Sequence, residues 1–439
     1  MKIKSYNNYK NVDLGWLSEI PHHWKIQRNK DIFFEVSEKS KEGKELLLTV
    51  SHLTGVTPRK EKTVNMFFAD SMEGYKLCKK EDLIINTMWA WMGALGVSKH
   101  DGICSPAYGV YRGLNLFDFS SDYLEYLFTT PNYIMEMTRY SKGIVSSRLR
   151  LYPSEFFQIN SIIPPIETQK EIVRFLKLKT KQIDNKINLL SRKKSTLNEL
   201  RKAIISEIIY GGTNKNAVFK KSKIEGIESI PKHWNLIRLK DISTISTSSV
   251  NKKIEEGEDL VSLVNYTDVY NSLTKEIRNS SKFMIVSANK LQINDKKLCK
   301  GDLLITPSSE TIEDIGVSAV VMEDLENTLY SYHLLRIRFS IKLDLKFIKY
   351  LFNNHLIQYY FSKSAQGTTR PILGLNVFNS MQIPLPPYEE QVEIANILEE
   401  KTSKIDKIIS KIDEQINTLT EFRKILINDV VTGKMRVAE

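Results

Sequence analysis

The 439-residue sequence predicts an α+β protein in which two pseudo-repeated mixed α/β globular domains are joined by two long helices forming an antiparallel coiled coil. Three observations predict this fold class. The phrase "SEIPHHW" at 18–24 returns as "ESIPKHW" at 228–234, later phrases return in the same order, and a heptad pattern of apolar residues occurs twice. The composition, 41% hydrophobic and 26% charged, is ordinary for a globular protein.

The repeat covers most of the chain. "KLCKKEDLII" resembles "KLCKGDLLI" further along, and "PPIETQKEI" resembles "PPYEEQVEI". The order is kept while the interval drifts by a few residues, which indicates a duplicated architecture with small insertions, with a period too long for a solenoid. The predicted segments are 1–163 for the first globular domain, 164–211 for the first spacer helix, 212–385 for a linker and the second globular domain, and 386–439 for the second spacer helix and a C-terminal tail.

Each globular domain opens on the shared phrase Ile-Pro-x-His-Trp. His23 is kept as His233, but His22 is replaced by Lys232, so a two-histidine site is not preserved between the copies. We therefore interpret the phrase as a fixed bend with an aromatic anchor. Short apolar runs such as "DLIIN" and "DLLIT" predict strands within each domain.

The two predicted long helices carry an apolar seam with a period of seven, which is typical of a coiled coil. The alternative is an amphipathic helix that packs only on its own domain. If the linker at 212–229 stays local, the second helix must run antiparallel to the first, although 18 residues can extend about 60 Å and leave a parallel pairing open. The predicted seam residues are Leu176, Ile183, Ile187, Leu190, Leu197, Ile204, Leu398, Ile405, Ile409, Ile412, Ile416, Leu419 and Leu426.

Lys and Arg number 63 against 52 Asp and Glu, a formal charge of +11. Such a balance suits a polyanionic partner and is also compatible with a merely soluble basic protein. The three cysteines are scattered, which makes a disulfide framework or a metal-ligand pair unexpected. No apolar run approaches the roughly 18 residues of a membrane span, and the polar N-terminus does not resemble a secretion signal. These features predict a cytoplasmic protein with no membrane association.

Two recurring loops are the main candidates for nucleic-acid contact. "SKGIVSSRLR" (141–150) and "SAQGTTRPIL" (364–373) each place a glycine before two hydroxyl residues and an arginine. Glycine permits a close backbone approach, hydroxyls bond phosphates, and arginine can fork onto guanine or phosphate. The alternative is a structural turn. Together with the loops 57–62 and 306–311, the candidates are Lys142, Ser146, Ser147, Arg148, Arg150, Arg59, Lys60, Lys62, Gln366, Thr368, Thr369, Arg370, Ser308 and Ser309.

The search for catalytic chemistry yields no catalytic residue and no metal site. "LPPYEE" (385–390) superficially resembles the Asn/Asp-Pro-Pro-aromatic loop of amino-methyltransferases, but Leu385 cannot hold an exocyclic amine. No glycine-rich nucleotide loop is present, and the seven histidines have no zinc-like spacing. The Trp-rich segment 86–96 could stack on bases, but a place in the buried core is favoured.

With these motifs the sequence resembles the specificity subunit of a type I restriction-modification system over nearly its full length. The resemblance depends on the Ile-Pro-x-x-Trp phrases, on the "PPxxEQ"-type entries to the helices, and on the ending "LTEFRKILINDVVTGK" with its first-copy echo "LNELRKAIISEIIYGG". "PPIETQ" departs from the second motif by one residue.

The resemblance implies a non-catalytic recognition subunit. Each globular domain would be a target-recognition domain that reads one half of a bipartite, asymmetric site in double-stranded DNA. The coiled coil would set the spacing and dock two methyltransferase subunits, and two motor-nuclease subunits would complete the complex. S-adenosylmethionine, ATP and Mg²⁺ are then expected on the partner subunits and no cofactor on this chain. The alternatives are a stand-alone methyltransferase or nuclease with an unrecognised site, and a coiled-coil scaffold that never contacts DNA.

Overall fold

The computed structural model describes residues 5–61, 71–114, 119–145, 148–214 and 216–437. Short 3-10 helices cover Arg59–Glu61 and Ala90–Met92. The α-helices are α1 (Asn29–Ile32), α2 (Ser121–Phe128), α3 (Pro131–Tyr140), α4 (Pro153–Phe156), α5 (Ile166–Gly211), α6 (Leu239–Ile242), α7 (Tyr266–Tyr270), α8 (Lys290–Lys296), α9 (Leu345–Phe352), α10 (His355–Ser364), α11 (Leu375–Ser380) and α12 (Tyr388–Val431).

The strands divide evenly between the two copies of the repeat. In the first copy they are β1 (Tyr9–Leu14), β2 (Leu17–Pro21), β3 (Lys25–Arg28), β4 (Phe33–Glu35), β5 (Leu48–Ser51), β6 (Gly55–Pro58), β7 (Lys76–Cys78), β8 (Leu83–Asn86), β9 (Leu95–Val97), β10 (Gly102–Cys104), β11 (Tyr108–Gly113) and β12 (Asn160–Ile163). In the second they are β13 (Phe219–Lys221), β14 (Ser229–Pro231), β15 (Asn235–Arg238), β16 (Ser243–Thr247), β17 (Asp259–Val264), β18 (Glu276–Ile277), β19 (Met284–Ala288), β20 (Leu303–Ile305), β21 (Ser318–Val321), β22 (Thr328–Tyr330), β23 (Leu335–Phe339) and β24 (Gln382–Leu385).

The chain forms two compact units. Unit 1 comprises Met1–Ser191 with Asp413–Glu439, and unit 2 comprises Arg192–Ile412. Unit 1 contains a four-stranded sheet in the order β4-β11-β8-β9, and unit 2 a five-stranded sheet in the order β16-β23-β20-β21-β18 beside a three-stranded sheet β19-β17-β22. Each unit therefore combines one globular domain with a segment of each long helix.

The same strand pair closes each globular domain. β3 follows the opening phrase and pairs antiparallel with β12, and β15 pairs in the same way with β24. The last strand of each pair leads into a Pro-Pro step and then a long helix. Proline lacks the N–H that would continue the ladder, so the strand ends there and the helix can begin.

A buried ion pair recurs at the "KLC" turn of both copies. Asp82 accepts two hydrogen bonds of 2.8 Å from Arg112, and one of 2.7 Å from the backbone N–H of Lys79. Asp302 is held in the same way by Arg338, at 2.7 and 2.6 Å, and by the Cys299 N–H at 2.8 Å. Both aspartates are about 1% exposed. A buried carboxylate needs such partners, so the repeated phrase encodes a structural turn.

Within each unit the segments of α5 and α12 run antiparallel. In unit 1, the Tyr123 hydroxyl lies 3.3 Å from the Ile162 carbonyl before α5 and 3.0 Å from the Val431 carbonyl at the end of α12. Asp184 of α5 pairs with Arg423 of α12, further from those ends. In unit 2, Thr213 donates to Glu393 and Arg201 pairs with Asp406, which gives the same direction. The antiparallel pairing is confirmed inside each unit.

The hydrophobic cores continue from the sheets onto the helices. In unit 1, Trp24 shares a core with residues of α5 and α12 such as Leu176 and Leu426, and in unit 2 Trp234 shares one with Ile209 and Leu398. Of the predicted seam, the buried members are Leu176, Ile183, Leu398, Ile405, Ile412 and Leu426, and the half-buried members are Ile187, Leu190, Leu197, Ile204, Ile409, Ile416 and Leu419. The apolar period of the sequence thus describes the face of each helix that is withdrawn from water.

No described helix is sufficiently long and apolar to cross a membrane.

Candidate nucleic-acid interface

The loop after α10 in unit 2 is a tight hairpin. Gln366 and Ile372 exchange backbone hydrogen bonds of 3.0 and 2.8 Å, so that Thr368, Thr369 and Arg370 lie at an exposed tip. Gly367 has φ +104°, and a Cβ there would lie 2.5 Å from the Arg370 carbonyl oxygen. The glycine is therefore required for the turn, as the sequence pattern suggested.

Unit 1 has the counterpart after α3. Lys142 and Arg150 exchange backbone hydrogen bonds of 2.9 and 2.8 Å, and Arg148 is exposed between them. A Cβ on Gly143 would lie 2.8 Å from the Arg148 carbonyl oxygen, so this turn also needs glycine. Ser146 and Ser147 lie outside the described residues.

Side-chain contacts distinguish the two basic residues at the base of this hairpin from Arg148 at its tip. Lys142 Nζ forms a 2.6 Å ion pair with Glu155, and the Arg150 guanidinium contacts Met88 Sδ at 3.8 Å. Among the described residues of this loop, Arg148 is thus the cation with the fewest side-chain contacts, and it corresponds to Arg370 in unit 2.

In unit 2 the second candidate loop, 306–311, lies against the hairpin. Ser308 forms a bridge with Ile372, and the Ser309 N–H donates to the Pro371 carbonyl at 3.2 Å. The Ser309 side chain is only 3% exposed, and its hydroxyl accepts from the Thr311 N–H at 3.4 Å. Ser309 therefore supports the turn, while Ser308 is half-buried beside the hairpin.

In unit 1 the Trp-rich segment takes the equivalent place. The Leu151 N–H donates to the Thr87 carbonyl at 2.9 Å, which ties the segment to the end of the 142–150 hairpin. Trp89 is 50% exposed, and Trp91 is half-buried with its indole N–H on the Met88 carbonyl at 3.0 Å. The expectation that this segment belongs to the core is wrong for Trp89, because the 3-10 helix buries Ala90 instead.

The loop 57–62 begins at the end of β6, in the separate β5–β6 hairpin. The half-buried Arg59 is anchored through its N–H to the Leu47 carbonyl at 2.8 Å, and Lys60 is exposed. Burial raises the pKa of Tyr108, and the nearby positive charge of Arg59 opposes that rise. Lys62 lies outside the described residues.

Sequence reasoning missed an aromatic and basic group beside the unit 2 hairpin. Tyr332, 47% exposed, packs on His333 with 3.9 Å between ring centroids. Burial lowers the pKa of His333, and the positive charges of Lys252 and Arg370 lower it further. The cations Lys252 and Arg370 therefore lie near the His333 imidazole, which packs on an exposed ring. The adjacent Tyr-His in the sequence was the only signal, and it has no counterpart in the first copy.

The Pro-Pro motifs have a structural explanation. The Gln169 side chain accepts from the Ser120 N–H at 2.8 Å and donates to the Pro164 carbonyl at 2.8 Å. Gln391 makes the corresponding bonds to Asp344 and Pro386, both of 3.0 Å. Both glutamines are buried, so the motif fixes the start of each long helix against the N-terminus of α2 or α9. Among the described residues, no group of three or more His, Cys, Asp or Glu could hold a metal ion.

The opening phrase is an anchor for the end of a long helix. Trp24 and Trp234 are fully buried. A Cβ on Gly433, just after α12, would lie 3.0 Å from Trp24 Cη2, and one on Gly212, just after α5, would lie 3.2 Å from Trp234 Cζ2. Each tryptophan therefore packs where a helix ends in glycine.

Comparison with known proteins identifies the same architecture. A family model described as the type I restriction modification DNA specificity domain matches residues 231–418. The chain is 25% identical to the type I restriction enzyme MjaVIII specificity subunit of Methanocaldococcus jannaschii, over 64% of this chain and 63% of that protein. It is 22% identical to the putative MjaX specificity subunit of the same organism, over 98% and 97%. The EcoKI specificity subunit of Escherichia coli K12 is 24% identical, over 78% and 72%.

Solved structures agree on the fold. A chain from a study of complex assembly and conformational transition of the type I R-M system superposes with a TM-score of 0.71 at 15% identity, covering 95% of this chain and 99% of that one. The HsdS subunit from Thermoanaerobacter tengcongensis gives 0.52 at 16% identity, covering 95% and 98%. The relatives are named as specificity subunits, in agreement with the expected non-catalytic role. The chain is therefore similar in sequence to type I restriction-modification specificity subunits and shares the fold of their solved structures.

Proposed function

We propose that this chain reads a bipartite, asymmetric DNA site, with one half recognised by each globular domain. The observation that carries the proposal is the recurrence of one exposed hairpin in both units, with an arginine at its tip and a neighbouring aromatic side chain: Arg148 near the segment of Trp89, and Arg370 near Tyr332. Arginine can read a guanine edge or bind phosphate, and an exposed ring can stack on a base or pack on a thymine methyl group.

The loops differ in sequence between the copies while their framework is repeated. Unit 1 presents Trp89 where unit 2 presents a loop with Ser308 and Ser309. Similar frameworks with different exposed side chains suit two half-sites of different sequence. The formal charge of +11 favours a polyanionic ligand as a whole.

The long helices are proposed to set the spacing between the half-sites and to dock two methyltransferase subunits, with two motor-nuclease subunits in the full complex. S-adenosylmethionine would then serve the methyltransferase, and ATP with Mg²⁺ the motor-nuclease, while this chain supplies recognition in the cytoplasm. The exposed apolar side chains Leu178, Leu189, Phe422 and Ile425 of the unit 1 helix segments are candidates for such contacts.

The test is co-expression with the methyltransferase of the same system, followed by genome-wide mapping of methylated adenines. A bipartite motif is the expected result. Exchanging residues 1–163 for those of another such subunit should change one half of the motif and leave the other half intact. A change in both halves contradicts the division of labour between the domains. Tight binding of S-adenosylmethionine to the isolated chain in equilibrium dialysis would instead favour a methyltransferase.

A further inference from the structure

His333 lies at the end of the unit 2 sheet where the hairpin after α10 is anchored. β20 and β23 are antiparallel neighbours in which Ile305 pairs with Leu335, so the residues after β20 and those before β23 leave the sheet at the same end. Pro307, two residues after Ile305, accepts from the Leu373 N–H at 2.7 Å. His333, two residues before Leu335, therefore lies at the same end of the sheet as the base of the hairpin.

A third segment reaches the same place. The Tyr332 N–H donates to the Val250 carbonyl at 3.3 Å, which brings the loop after β16 next to the Tyr-His pair. Lys252 follows two residues later in this loop and is exposed. The Tyr332 ring packs on the imidazole with 3.9 Å between ring centroids, and His333 is half-buried. The imidazole is thus held in place by its neighbours and still accessible to a ligand.

Two exposed cations act on this imidazole. Burial lowers the pKa of His333, and the positive charges of Lys252 and Arg370 lower it further. Neither cation forms an ion pair with another residue that the structure describes. Among the described residues, these two cations and the Tyr332 phenol are the titratable groups that face the imidazole. Since the usual pKa of histidine is about 6.5, the imidazole of the free protein is mostly neutral at pH 7.

A bound duplex would reverse this balance. DNA carries one negative charge per about 1.7 Å of helix axis, and phosphates that pair with Lys252 and Arg370 cancel the charges that repel a proton. The phosphates within about 8 Å, the screening length at physiological salt, also attract a proton directly. Both effects favour the protonated imidazole, which donates from both ring nitrogens.

We propose that His333 contacts DNA in unit 2, beside Lys252 and Arg370, and that its imidazole takes up a proton as the duplex binds. The inference rests on the proposed DNA recognition and adds to it a contact residue and a dependence on pH. It concerns one half-site only. At the interval that relates Arg112 to Arg338, the Tyr-His pair corresponds to Pro106 and Ala107 in unit 1.

The test is the pH dependence of DNA affinity, measured between about pH 5.5 and 8 on the mapped motif with the complex that contains the methyltransferase. Because the pKa of His333 is lower in the free than in the bound state, affinity should rise as pH falls through the interval between the two values. The rise is limited to about tenfold per pH unit for one proton. His333→Gln keeps hydrogen-bonding groups without a titratable charge and should remove this part of the dependence. An identical dependence in wild type and His333→Gln overturns the proposal.

Two further variants provide the controls. His22→Gln, at an exposed histidine of the unit 1 opening phrase, should keep the wild-type dependence, and a loss equal to that of His333→Gln would contradict the assignment. Because a change at the half-buried His333 can disturb the local fold, Lys252→Gln on an exposed side chain is the second variant. It should raise the pKa of His333 in the free protein, so that fewer protons are taken up and the dependence becomes shallower. An unchanged dependence in Lys252→Gln would refute the role of the cations.

Calorimetry separates this inference from the proposed function. Binding enthalpies in two buffers of different ionisation enthalpy give the number of protons taken up, and at about pH 7 wild type should take up more than His333→Gln, by at most about one proton. An equal number, with selective binding of the motif retained, overturns the role of His333 and leaves the proposed function standing. Absence of selective binding at every pH overturns the proposed function itself. Exchange of residues 1–163 should preserve the uptake, and its loss would place the titrating group in unit 1.

Discussion

Asp184 and Arg423 form an ion pair with 2.9 Å between Oδ1 and Nε. Its counterpart in the other unit joins Arg201 and Asp406, also at 2.9 Å. The repeat relates Asp184 to Asp406 and Arg201 to Arg423. In unit 1 the aspartate of the pair lies on α5 and the arginine on α12, and in unit 2 the arginine lies on α5 and the aspartate on α12. A parallel, in-register pairing of the same helices would set aspartate against aspartate and arginine against arginine. The charges therefore favour the antiparallel pairing, as charged flanking positions do in coiled coils.

Truncation of the helix seam should destabilise unit 1. Leu176 is fully buried in the core shared by α5 and α12. We expect Leu176→Ala to lower the free energy of unfolding by about 2–5 kcal/mol, because it removes buried methyl groups and leaves a cavity. Leu178, two residues later and 55% exposed, is the matched control. Leu178→Ala should change the free energy of unfolding by no more than about 0.5 kcal/mol. Equal effects in urea unfolding would show that the seam is assigned to the wrong face.

Removal of the hairpin cation in unit 2 should weaken DNA binding. Arg370→Ala in the assembled complex is expected to reduce affinity and, if the guanidinium binds a phosphate, to reduce the slope of log K against log salt by about 0.9. If it reads a guanine, the change should instead relax one position of one half-motif at a cost of about 1–3 kcal/mol. Lys363→Ala, on α10 with its ammonium paired to Glu225, is the control for charge alone. An affinity and motif identical to wild type would remove Arg370 from the interface.

The left-handed glycine of the same hairpin should be indispensable. In Gly367→Ala the alanine would have a positive φ, and its Cβ would lie 2.5 Å from the Arg370 carbonyl oxygen. The resulting strain is on the order of 1–3 kcal/mol. The exposed loop can relieve this strain by opening. DNA affinity should fall while the thermal unfolding midpoint changes little. Gly211→Ala, at the end of α5 with no atom within 4 Å of the new Cβ, should leave both measurements unchanged. Unimpaired DNA binding by Gly367→Ala would mean that the hairpin is only a structural turn.

Trp89 should contribute to recognition and not to folding. Since its side chain is 50% exposed, Trp89→Ala should leave the unfolding midpoint within error of wild type. Its loss of DNA affinity should reach about 1–3 kcal/mol if the ring stacks on a base. Leu53→Ala, at an 80% exposed position of unit 1, serves as the comparison for loss of exposed apolar surface. If both variants bind DNA equally well, the ring is not part of the interface.

Glu125 should make stability depend on pH. Burial raises the pKa of Glu125, and the Val97 N–H donates to it at 3.1 Å. A carboxyl with a raised folded-state pKa binds protons more tightly in the folded protein, so its contribution is favourable at low pH and is lost as pH rises through that pKa. Glu125→Gln keeps an acceptor for Val97 and should therefore raise the unfolding midpoint near pH 7, with the gain vanishing below about pH 4. Glu167→Gln, with its carboxylate 77% exposed, should show no such pattern, and an equal midpoint gain at pH 4 and 7 would exclude titration as the cause.

Much of the fold was accessible from the sequence because the signals were local. The heptad period predicts the buried face of each helix from spacing alone. Gly143 and Gly367 indicate tight hairpins, because at each position the turn leaves no room for a Cβ atom. The direction of the helices was also encoded, in the exchanged charges of Asp184 and Arg201 with their counterparts, but only a comparison of paired positions reveals it.

The candidate interface could be predicted only in part, because exposure depends on partners distant in sequence. Ser309 is buried, and its hydroxyl accepts a hydrogen bond within its own turn. Trp89 is exposed because a short 3-10 helix buries Ala90 in its place. The group of Tyr332, His333 and Lys252 beside Arg370 joins separate segments of the chain, and no spacing in the sequence relates them.

By itself the sequence determined the duplication, the two apolar seams and the glycine-arginine loops, since each depends on residue types at fixed intervals along one segment. Only the tertiary structure decided that residues 413–439 complete unit 1 and that the ends of both long helices meet the opening tryptophans. It also decided that Glu390 accepts a hydrogen bond from the Trp234 indole N–H, while the Trp24 indole N–H has no acceptor among the described residues. Burial and hydrogen-bond satisfaction are properties of the packed chain, because they depend on which distant residues exclude water from a given atom.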